Sequence, residues 1–229
     1  MHQRWAELGF LHWPVPVAAL RDLIPRALTI DTFDGKAYVG LVPFTVTGAR
    51  PMLMPPLPWV SDFHEVNVRT YVHLEGRDPG VWFFSLDASN AVVVAAARAL
   101  FRLPYHHARM ELSADAGGID FRSARRKTRE AACALRYAPL GTPTPATAGS
   151  LDHFLVERYV LYTAAKGKLW QGRVHHSPYP LQKARAEVSR ETLIAAAGIE
   201  RPGEAASLVH FARAVEVEIF GLQDAGTAG

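Results

Sequence analysis

The feature that most constrains the fold of this chain is a repeated alternation of apolar and polar residues over short segments bounded by turn residues. A period of two is typical of a β-strand that buries one face. Outside two hairpins, the pattern predicts strands at 105–112, 119–123, 132–137, 158–165, 169–176, 183–189 and 214–221. So many strands in one chain indicate a sandwich or a barrel.

Two hairpins are predicted from their turns. Asp34 and Gly35 separate the apolar segments 28–33 and 36–42. Glycine accepts the positive φ that a two-residue hairpin turn requires. Asp78-Pro79-Gly80 separates 63–74 from 81–87 and predicts the second hairpin.

Helices are fewer, and each has a start or stop signal. An apolar stripe after Pro16 ends at Pro25, and Ser89 or Asn90 is placed to cap the alanine-rich segment that runs to Leu100. Short helices are expected after Ser150 and over 191–197, where Gly198 closes the second. The segments 51–58 and 141–149 are predicted loops. The second could link two domains, but a surface connection is preferred, which makes 1–229 a single domain.

Composition excludes several classes of protein. Hydrophobic residues make up 49% of the 229 and charged residues 21%, values typical of globular proteins rather than disordered or fibrous ones. No apolar stretch approaches the roughly 20 residues of a membrane helix. Glu7 interrupts the N-terminal segment where a signal peptide would be apolar, and the single cysteine, Cys133, forms no internal disulfide. We therefore expect a cytoplasmic protein without a membrane partner.

The net charge of +3 raises the question of nucleic-acid binding. The densest basic run comprises Arg122, Arg125, Arg126, Lys127 and Arg129. It follows a pair of glycines, and no aromatic residues are interleaved to stack on bases. The run is interpreted as a solvated hairpin tip, and a nucleic-acid partner is not favoured.

The segment 63–74 carries the strongest functional signal. On a strand, its valines share one face, whereas Glu65, Asn67 and Arg69 share the other with Phe63 and Tyr71. A solvated face would explain the polar residues but not the aromatic ones. A face that mixes aromatic rings with a carboxylate, an amide and a guanidinium is typical of the wall of a polar pocket.

Metal, covalent and cofactor chemistry find little support. The pairs His106-His107 and His175-His176 could each give at most one ligand to a common metal, because adjacent strand residues point to opposite faces. No H-E-x-x-H motif, phosphate loop or dinucleotide fingerprint occurs. Ser85 lacks the G-x-S-x-G motif of a nucleophile elbow. No feature of the sequence around Cys133 supports a role as a nucleophile. The sequence therefore predicts neither a metal nor a cofactor.

A series of motifs in one order resembles a known family. These are HWPVP (12–16), FDGKAYVGLVPF (33–44), FHEVNVRTYV (63–72), GVWFFSLDA (80–88), LPYHHARM (103–110), FLVERYVLY (154–162) and HHSPYPLQKA (175–184). They are similar to the YqjF-like family, a domain of unknown function grouped with acetoacetate-decarboxylase-like proteins. The resemblance implies an α+β, mainly β fold. It further implies a large antiparallel sheet curled into a barrel or cone, with a few peripheral helices and an interior pocket. It implies no activity.

The related decarboxylases form a Schiff base on one of two adjacent lysines, in a segment like the one that here reads Leu103-Pro104-Tyr105-His106-His107. Both lysines are missing. The lysines of this chain are Lys36, Lys127, Lys166, Lys168 and Lys183. Only the last is predicted on a strand, in a segment unlike the nucleophile motif. Glu65 falls where the decarboxylase-like pattern carries a pocket glutamate, so the resemblance implies a cavity without its nucleophile.

Three functions remain open. The first is a cofactor-independent enzyme acting on a small organic acid or carbonyl compound, with Glu65 and either His106 or His107 transferring protons. Asn67, Tyr71 and Tyr105 would contact the ligand. The second is a non-catalytic small-molecule binder, and the third, less favoured, is a nucleic-acid or protein interaction module.

The ligand's carboxylate would be clamped by Arg158 or Arg69, because the planar guanidinium suits that task. Against this, Glu157 and Arg158 lie at a helix-to-strand junction, where a carboxylate usually pairs with a nearby guanidinium. The ligand's identity and the oligomeric state, a homo-oligomer included, stay open.

Overall fold

The fold is built mainly from long strands, as seen in a computed structural model that describes residues 1–51, 53, 55–200, 203 and 205–229. The strands are His2–Val15 (β1), Thr29–Ile30 (β2), Ala37–Arg50 (β3), Phe63–Leu74 (β4), Arg77–Ala88 (β5), Tyr105–Asp115 (β6), Gly118–Arg125 (β7), Ala132–Thr144 (β8), Val160–Ala165 (β9), Lys168–His176 (β10), Leu181–Glu191 (β11), Leu208–Ile219 (β12) and Gln223–Thr227 (β13). The helices are Val17–Arg21 (α1), Ala91–Phe101 (α2), Leu151–Val156 (α3) and Leu193–Ala196 (α4).

The strands form one sheet that closes on itself twice. Its order is β13-β10-β9-β5-β6-β7-β8-β11-β12-β1-β3-β4-β2, with additional pairings of β10 with β12 and of β5 with β4. One ring therefore passes from β5 through β6, β7, β8 and β11 to β12. The other passes from β5 through β9 and β10 to β12. Both rings return through β1, β3 and β4, which form a shared wall.

The prediction of a mainly β fold with a curled sheet and peripheral helices is confirmed. The sheet differs from the prediction in one respect, because it is mixed rather than purely antiparallel. β5 pairs in parallel with β6 at one end and with β9 at the other. These parallel pairs let β5 take part in both rings. Strands on either side of 145–149 pair with each other, as β8 does with β11.

Both predicted hairpins need correction. Asp34 and Gly35 do form a tight turn with positive φ, but beyond the Phe33–Lys36 bridge the chain separates, and β2 pairs with β4. The turn between β4 and β5 lies at Glu75-Gly76, both with positive φ, and not at Asp78-Pro79-Gly80, which is part of β5. Leu74 pairs with Arg77 across the two-residue turn.

The strand β1 is missing from the sequence-based prediction. Its side chains are buried almost continuously from Leu8 to Trp13, so no polar alternation marks it. Glu7 has a positive φ, and the register with β3 shifts between Ala6 and Leu11, which breaks the period of two. Likewise, β8 extends to Thr144, into the predicted loop 141–149.

The two capped helices agree with their sequence signals, whereas α1 ends at Arg21, before the predicted stop at Pro25. The Asn90 side chain caps α2 by accepting from the backbone N–H groups of Val92 and Val93, and Ser150 caps α3 by accepting from that of His153. α4 covers a shorter segment than the predicted 191–197. Within the described residues, no helix has the length and apolar character needed to cross a bilayer.

Part of the basic run is buried, contrary to the prediction of a solvated hairpin tip. Arg122, Arg126, Lys127 and Arg129 are exposed, but Arg125 is 6% exposed and its Nε donates to both Asp87 oxygens at 2.9 and 3.0 Å. The pleat of β7 turns alternate residues inward, which a count of charges along the chain does not reveal.

Two hydrophobic cores lie on opposite sides of the shared wall. Val66, Val68 and Val72 of β4 belong to one core, and Phe63 and Tyr71 to the other. The alternation predicted for this strand is therefore observed. A β-bulge in β5 accompanies it, because Val68 pairs with Ser85 and Arg69 with Phe83, which leaves Phe84 without a partner on β4.

The close approach of β5 and β9 predicts an intolerant glycine. A Cβ on Gly80 would lie 2.6 Å from the carbonyl oxygen of Val160, a backbone atom that cannot rotate away. We expect Gly80→Ala to lower the free energy of unfolding by about 1–3 kcal/mol, as overpacking does elsewhere. Urea denaturation measures this. Gly221→Ala is the matched control, since its Cβ would meet no atom within 4 Å. Equal stability of the two variants would contradict the packing argument.

Candidate functional site

A cavity of about 340 Å³ lies inside the ring completed by β9 and β10. One wall is the inward face of β4, one side is closed by α2, and the loop that includes Leu57 and Val60 borders it. The volume is at the lower end of the ~300–1,000 Å³ that small-molecule sites occupy. Polar side chains gather along β4 and at the start of β6, whereas most of the remaining lining is apolar.

Buried Glu65 and partly buried Tyr105 form a hydrogen-bonded pair in this cavity. The Tyr105 hydroxyl donates to Glu65 Oε2 at 2.9 Å, and Glu65 is 5% exposed. Burial raises the pKa of Glu65 to about 8; the hydrogen bond from Tyr105 opposes that rise, and the charge of Asp87 adds to it. At neutral pH the carboxyl group is therefore mostly protonated and can donate a proton.

Asn67 and Arg69 follow Glu65 on the same face of β4, at intervals of roughly 7 Å along the strand. Both side chains are buried, and both contain a polar atom without a hydrogen-bond partner: Oδ1 of Asn67 and Nε of Arg69. Arg69 Nη2 donates to the carbonyl oxygen of Leu155 at 3.1 Å. Its guanidinium also lies over the rings of Phe10 and Tyr71, at 5.6 and 5.7 Å from their centroids.

Arg69 differs from the other buried arginines. Arg125 is paired with Asp87 at 2.9 Å, and Arg158 Nη1 with Asp31 Oδ2 at 2.7 Å. Within the described part of the chain, no carboxylate lies within 4.0 Å of the Arg69 guanidinium. A buried charge is ordinarily compensated by an opposite one, because its desolvation is unfavourable. Arg69 thus presents a cation to the cavity without a protein counter-ion.

Tyr71 and His12 form a hydrogen-bonded pair next to Arg69. The Tyr71 hydroxyl donates to Leu155 O at 2.7 Å and lies 2.7 Å from His12 Nε2. Its single proton is used in the first bond, so His12 Nε2 must carry the proton of the second. Burial, with the charge of Arg69, lowers the pKa of His12, which keeps the ring neutral. Tyr71 is fully buried and is not among the cavity-lining residues.

Tyr71, which is predicted to contact the ligand, is not among the lining residues, and its hydroxyl donates to the same carbonyl oxygen of Leu155 as Arg69 does. Arg158 does line the cavity, but its guanidinium is occupied by Asp31 and by the carbonyl oxygen of Phe154. The expected pairing of Glu157 with a nearby arginine is not formed. Glu157 accepts hydrogen bonds from the Tyr159 hydroxyl and the Tyr179 backbone N–H.

Neither His106 nor His107, one of which is predicted to transfer protons with Glu65, is among the cavity-lining residues. On β6 the lining includes Tyr105 and neither histidine. His106 faces the opposite side because neighbouring strand residues alternate, and His107 pairs with Ala88 at the very end of β5. Burial and the charges of Arg125 and Arg98 lower the pKa of His106 to about 4, so it is a weak base at neutral pH.

The sequence prediction missed the apolar part of the lining. It includes Phe10 from β1, Val93, Ala97 and Phe101 from α2, and Tyr179 from the segment before β11. The spacing of four residues within α2 marks one helical face, a signal that was available in the sequence. Phe10 and Tyr179 lie far apart in the chain and carry no comparable signal.

Neither a lysine nor the cysteine belongs to the lining that the structure describes. Each of the five lysines is solvent-exposed, Lys183 included. Cys133 is buried among apolar residues of the other core, and burial raises the pKa of its thiol. Within the described residues, no three histidine, cysteine or carboxylate side chains converge in a way that could hold a metal ion.

Comparison with known proteins agrees with this architecture. A family model described as an uncharacterized conserved protein, domain of unknown function 2071, matches residues 2–216. The chain belongs to this family. It is 42% identical to the uncharacterized protein YqjF of Bacillus subtilis (strain 168) over 217 residues, which cover 95% of this chain and 89% of YqjF.

Solved structures similar to this member of the family share its fold at low sequence identity. The enduracididine biosynthesis enzyme MppR complexed with pyruvate has a TM-score of 0.69 at 12% identity, covering 100% of this chain and 91% of MppR. The acetoacetate decarboxylase of Legionella pneumophila has a TM-score of 0.64 at 12% identity, covering 98% and 88%. The TM-scores establish the acetoacetate-decarboxylase-like fold. At identities this low the chemistry must be argued from the residues of the site.

The raised pKa of Glu65 predicts a pH-dependent stability. A carboxyl group whose folded pKa of about 8 exceeds its unfolded value of 4.5 stabilises the fold fully below the unfolded pKa. That stability is lost as pH rises through about 8. Between pH 5 and 9 we expect the free energy of unfolding to fall by on the order of 3–5 kcal/mol from this group.

Urea denaturation at both pH values measures the effect. Glu65→Gln should flatten the dependence and be more stable than the native chain at pH 9, whereas the control Glu187→Gln, at an exposed position, should not. Parallel profiles for Glu65→Gln and the native chain would show that Glu65 ionises normally.

The exposure of all five lysines predicts that this protein forms no imine with acetoacetate. A solvated lysine has a pKa near 10.4 and is almost fully protonated at neutral pH, so it cannot attack a carbonyl efficiently. Treatment with borohydride in the presence of acetoacetate should leave the protein mass unchanged, while a lysine-dependent decarboxylase treated in parallel gains the adduct. A stoichiometric adduct, above all on Lys183, would contradict this prediction.

Proposed function

We propose that this protein binds a small organic acid, or a carbonyl compound with a carboxylate, in the cavity, with Arg69 as the anion anchor. The observation that carries the proposal is the buried Arg69 guanidinium, which has no carboxylate partner among the described residues. A ligand carboxylate would supply the missing counter-ion and receive charge-assisted hydrogen bonds.

The neighbouring groups would determine the rest of the ligand. Asn67 Oδ1 is buried and unpaired, so it is placed to accept a hydrogen bond from a ligand donor. Glu65, protonated at neutral pH, is placed to donate to a ligand carbonyl or hydroxyl oxygen, while Tyr105 is hydrogen-bonded to its carboxyl group. The cavity therefore combines one cation with one neutral acid.

This combination suits proton transfer to a carbonyl compound. A protonated carboxyl group can act as general acid toward a carbonyl oxygen while a guanidinium holds the carboxylate in place. Of the predicted catalytic residues, Glu65 fits this role, and the positions of His106 and His107 argue against theirs. No lysine lines the cavity within the described residues, so the reaction would proceed without a lysine imine.

A relative's ligand is consistent with the same class of compound. MppR, which shares this fold, has been solved with pyruvate, a 2-oxo acid. The absence of a lysine from the described lining equally supports a second candidate, a non-catalytic receptor for such acids. Both candidates require the Arg69 anchor, so the anchor is the first point to test.

Arg69→Met tests the anchor. Pyruvate binding, measured by isothermal titration calorimetry, should weaken by at least about tenfold, because a charge-assisted hydrogen bond contributes roughly 1.5–3 kcal/mol. Without ligand, the variant should be at least as stable as the native chain, since it removes a buried unpaired charge. The control Arg122→Met, on an exposed strand position, should bind normally. Unchanged affinity in Arg69→Met would refute the anchor, as would failure of pyruvate and of every other carboxylate to bind.

A further inference from the structure

We propose that the ligand of this cavity carries a medium-length apolar chain, which lies beneath α2 and reaches toward the loop that contains Leu57. The inference rests on the proposed function for the anchoring of the carboxylate. It concerns the part of the cavity that Arg69, Asn67 and Glu65 do not reach.

The side of the cavity formed by α2 is apolar. Of the polar lining residues, Glu65, Asn67 and Arg69 lie along β4, Tyr105 is the first residue of β6, and Gln3, Arg50, Ser61 and Arg158 come from other segments outside α2. On α2 the lining consists of Val92, Val93, Ala96, Ala97, Leu100 and Phe101, all apolar. A ligand that fills the cavity must match this division, with a polar head and an apolar body.

The volume exceeds what a three-carbon acid needs. Liquid water occupies about 30 Å³ per molecule, so the 340 Å³ cavity has room for roughly ten groups of that size. The head group would use only the part beside Arg69 and Glu65. The remaining space lies against mostly apolar side chains, whose contact with water is unfavourable.

α2 lacks the packing that an amphipathic helix usually has. Only Val94 of its eleven residues is buried, while Val92 is 60% and Leu100 70% exposed. Both of these exposed residues line the cavity. Apolar atoms that face an open space forgo dispersion contacts and remain hydrated, and an alkyl chain beneath the helix would supply those contacts.

The rim of the cavity continues the apolar surface. Leu57 and Val60 line the cavity from the loop, and the neighbouring Trp59 is 92% exposed. Asn90 connects this loop to α2, because its Nδ2 donates to the carbonyl oxygen of Trp59 while its Oδ1 caps the helix. An apolar path therefore leads from the interior, under the first turn of α2, to the surface.

A series of straight-chain carboxylates, from acetate to decanoate, tests the inference by isothermal titration calorimetry. Each added methylene buried in the cavity should lower Kd about fourfold. The gain should end at about eight to ten carbons, when the chain reaches the rim. Arg69→Met should weaken every member of the series by a similar factor, because it affects only the head group.

Ala97→Phe would fill the cavity beneath α2. It distinguishes binding of the ligand's apolar chain from binding of its carboxylate. Octanoate should bind at least tenfold more weakly to this variant, while acetate binds as before. Ala95→Phe is the matched control, because Ala95 is exposed on the same helix and does not line the cavity. It should leave both affinities unchanged.

The outcomes distinguish the two proposals. If short acids bind through Arg69 but the affinity does not rise with chain length, the apolar-chain inference is wrong and the carboxylate site stands. The same conclusion follows if octanoate binds Ala97→Phe as tightly as it binds the native chain. If no acid of any length binds, both proposals fail.

Discussion

The pleat of β4 is the constraint on which the rest of the molecule depends. Because β4 belongs to the wall shared by both rings, each of its faces must be buried. Val66 and Val68 lie in one core, and the residues that alternate with them, Glu65, Asn67 and Arg69, face the other interior. A strand with two buried faces would ordinarily be apolar throughout. Here one face carries Glu65, Asn67 and Arg69, which is tolerable only if those groups are neutralised, hydrogen-bonded or provided with a ligand.

Glu65 and Arg69 on that face differ in how their burial is compensated. Glu65 becomes neutral, because burial raises its pKa to about 8 and Tyr105 provides a hydrogen bond. Arg69 stays charged, rests on aromatic rings and donates to Leu155 O, but lacks a protein counter-ion in the described structure. Elsewhere the same chain pairs its buried arginines, as Arg125 with Asp87. The difference between Arg69 and Arg125 is the physical basis for assigning a ligand to one and a structural role to the other.

The bulge in β5 keeps a second carboxylate away from Arg69. Phe84 is unpaired in the ladder with β4, so the inward side changes from Val81 and Phe83 to Leu86 and Ala88. Asp87 consequently points away from the cavity, toward Arg125. With an unbroken period of two, Asp87 would share the face of Phe83 and place a second carboxylate in the cavity. The bulge therefore keeps Glu65 as the cavity's acid and Arg69 without a partner carboxylate.

The sequence by itself determined the strand-rich class, most strand positions, the alternation on β4 and the lack of lysines in the segment 103–107. These features depend on local periodicity and residue identity, which a single chain displays directly. Only the tertiary structure decided that Arg158 is occupied by Asp31, that Tyr71 donates to the same carbonyl oxygen as Arg69, and that His106 and His107 lie outside the cavity. It also decided the course of β1, the double closure of the sheet and the apolar lining beneath α2. Strand pairing, bulges and cavity walls depend on contacts between residues far apart in the chain. The local sequence pattern does not indicate which distant residue each one contacts.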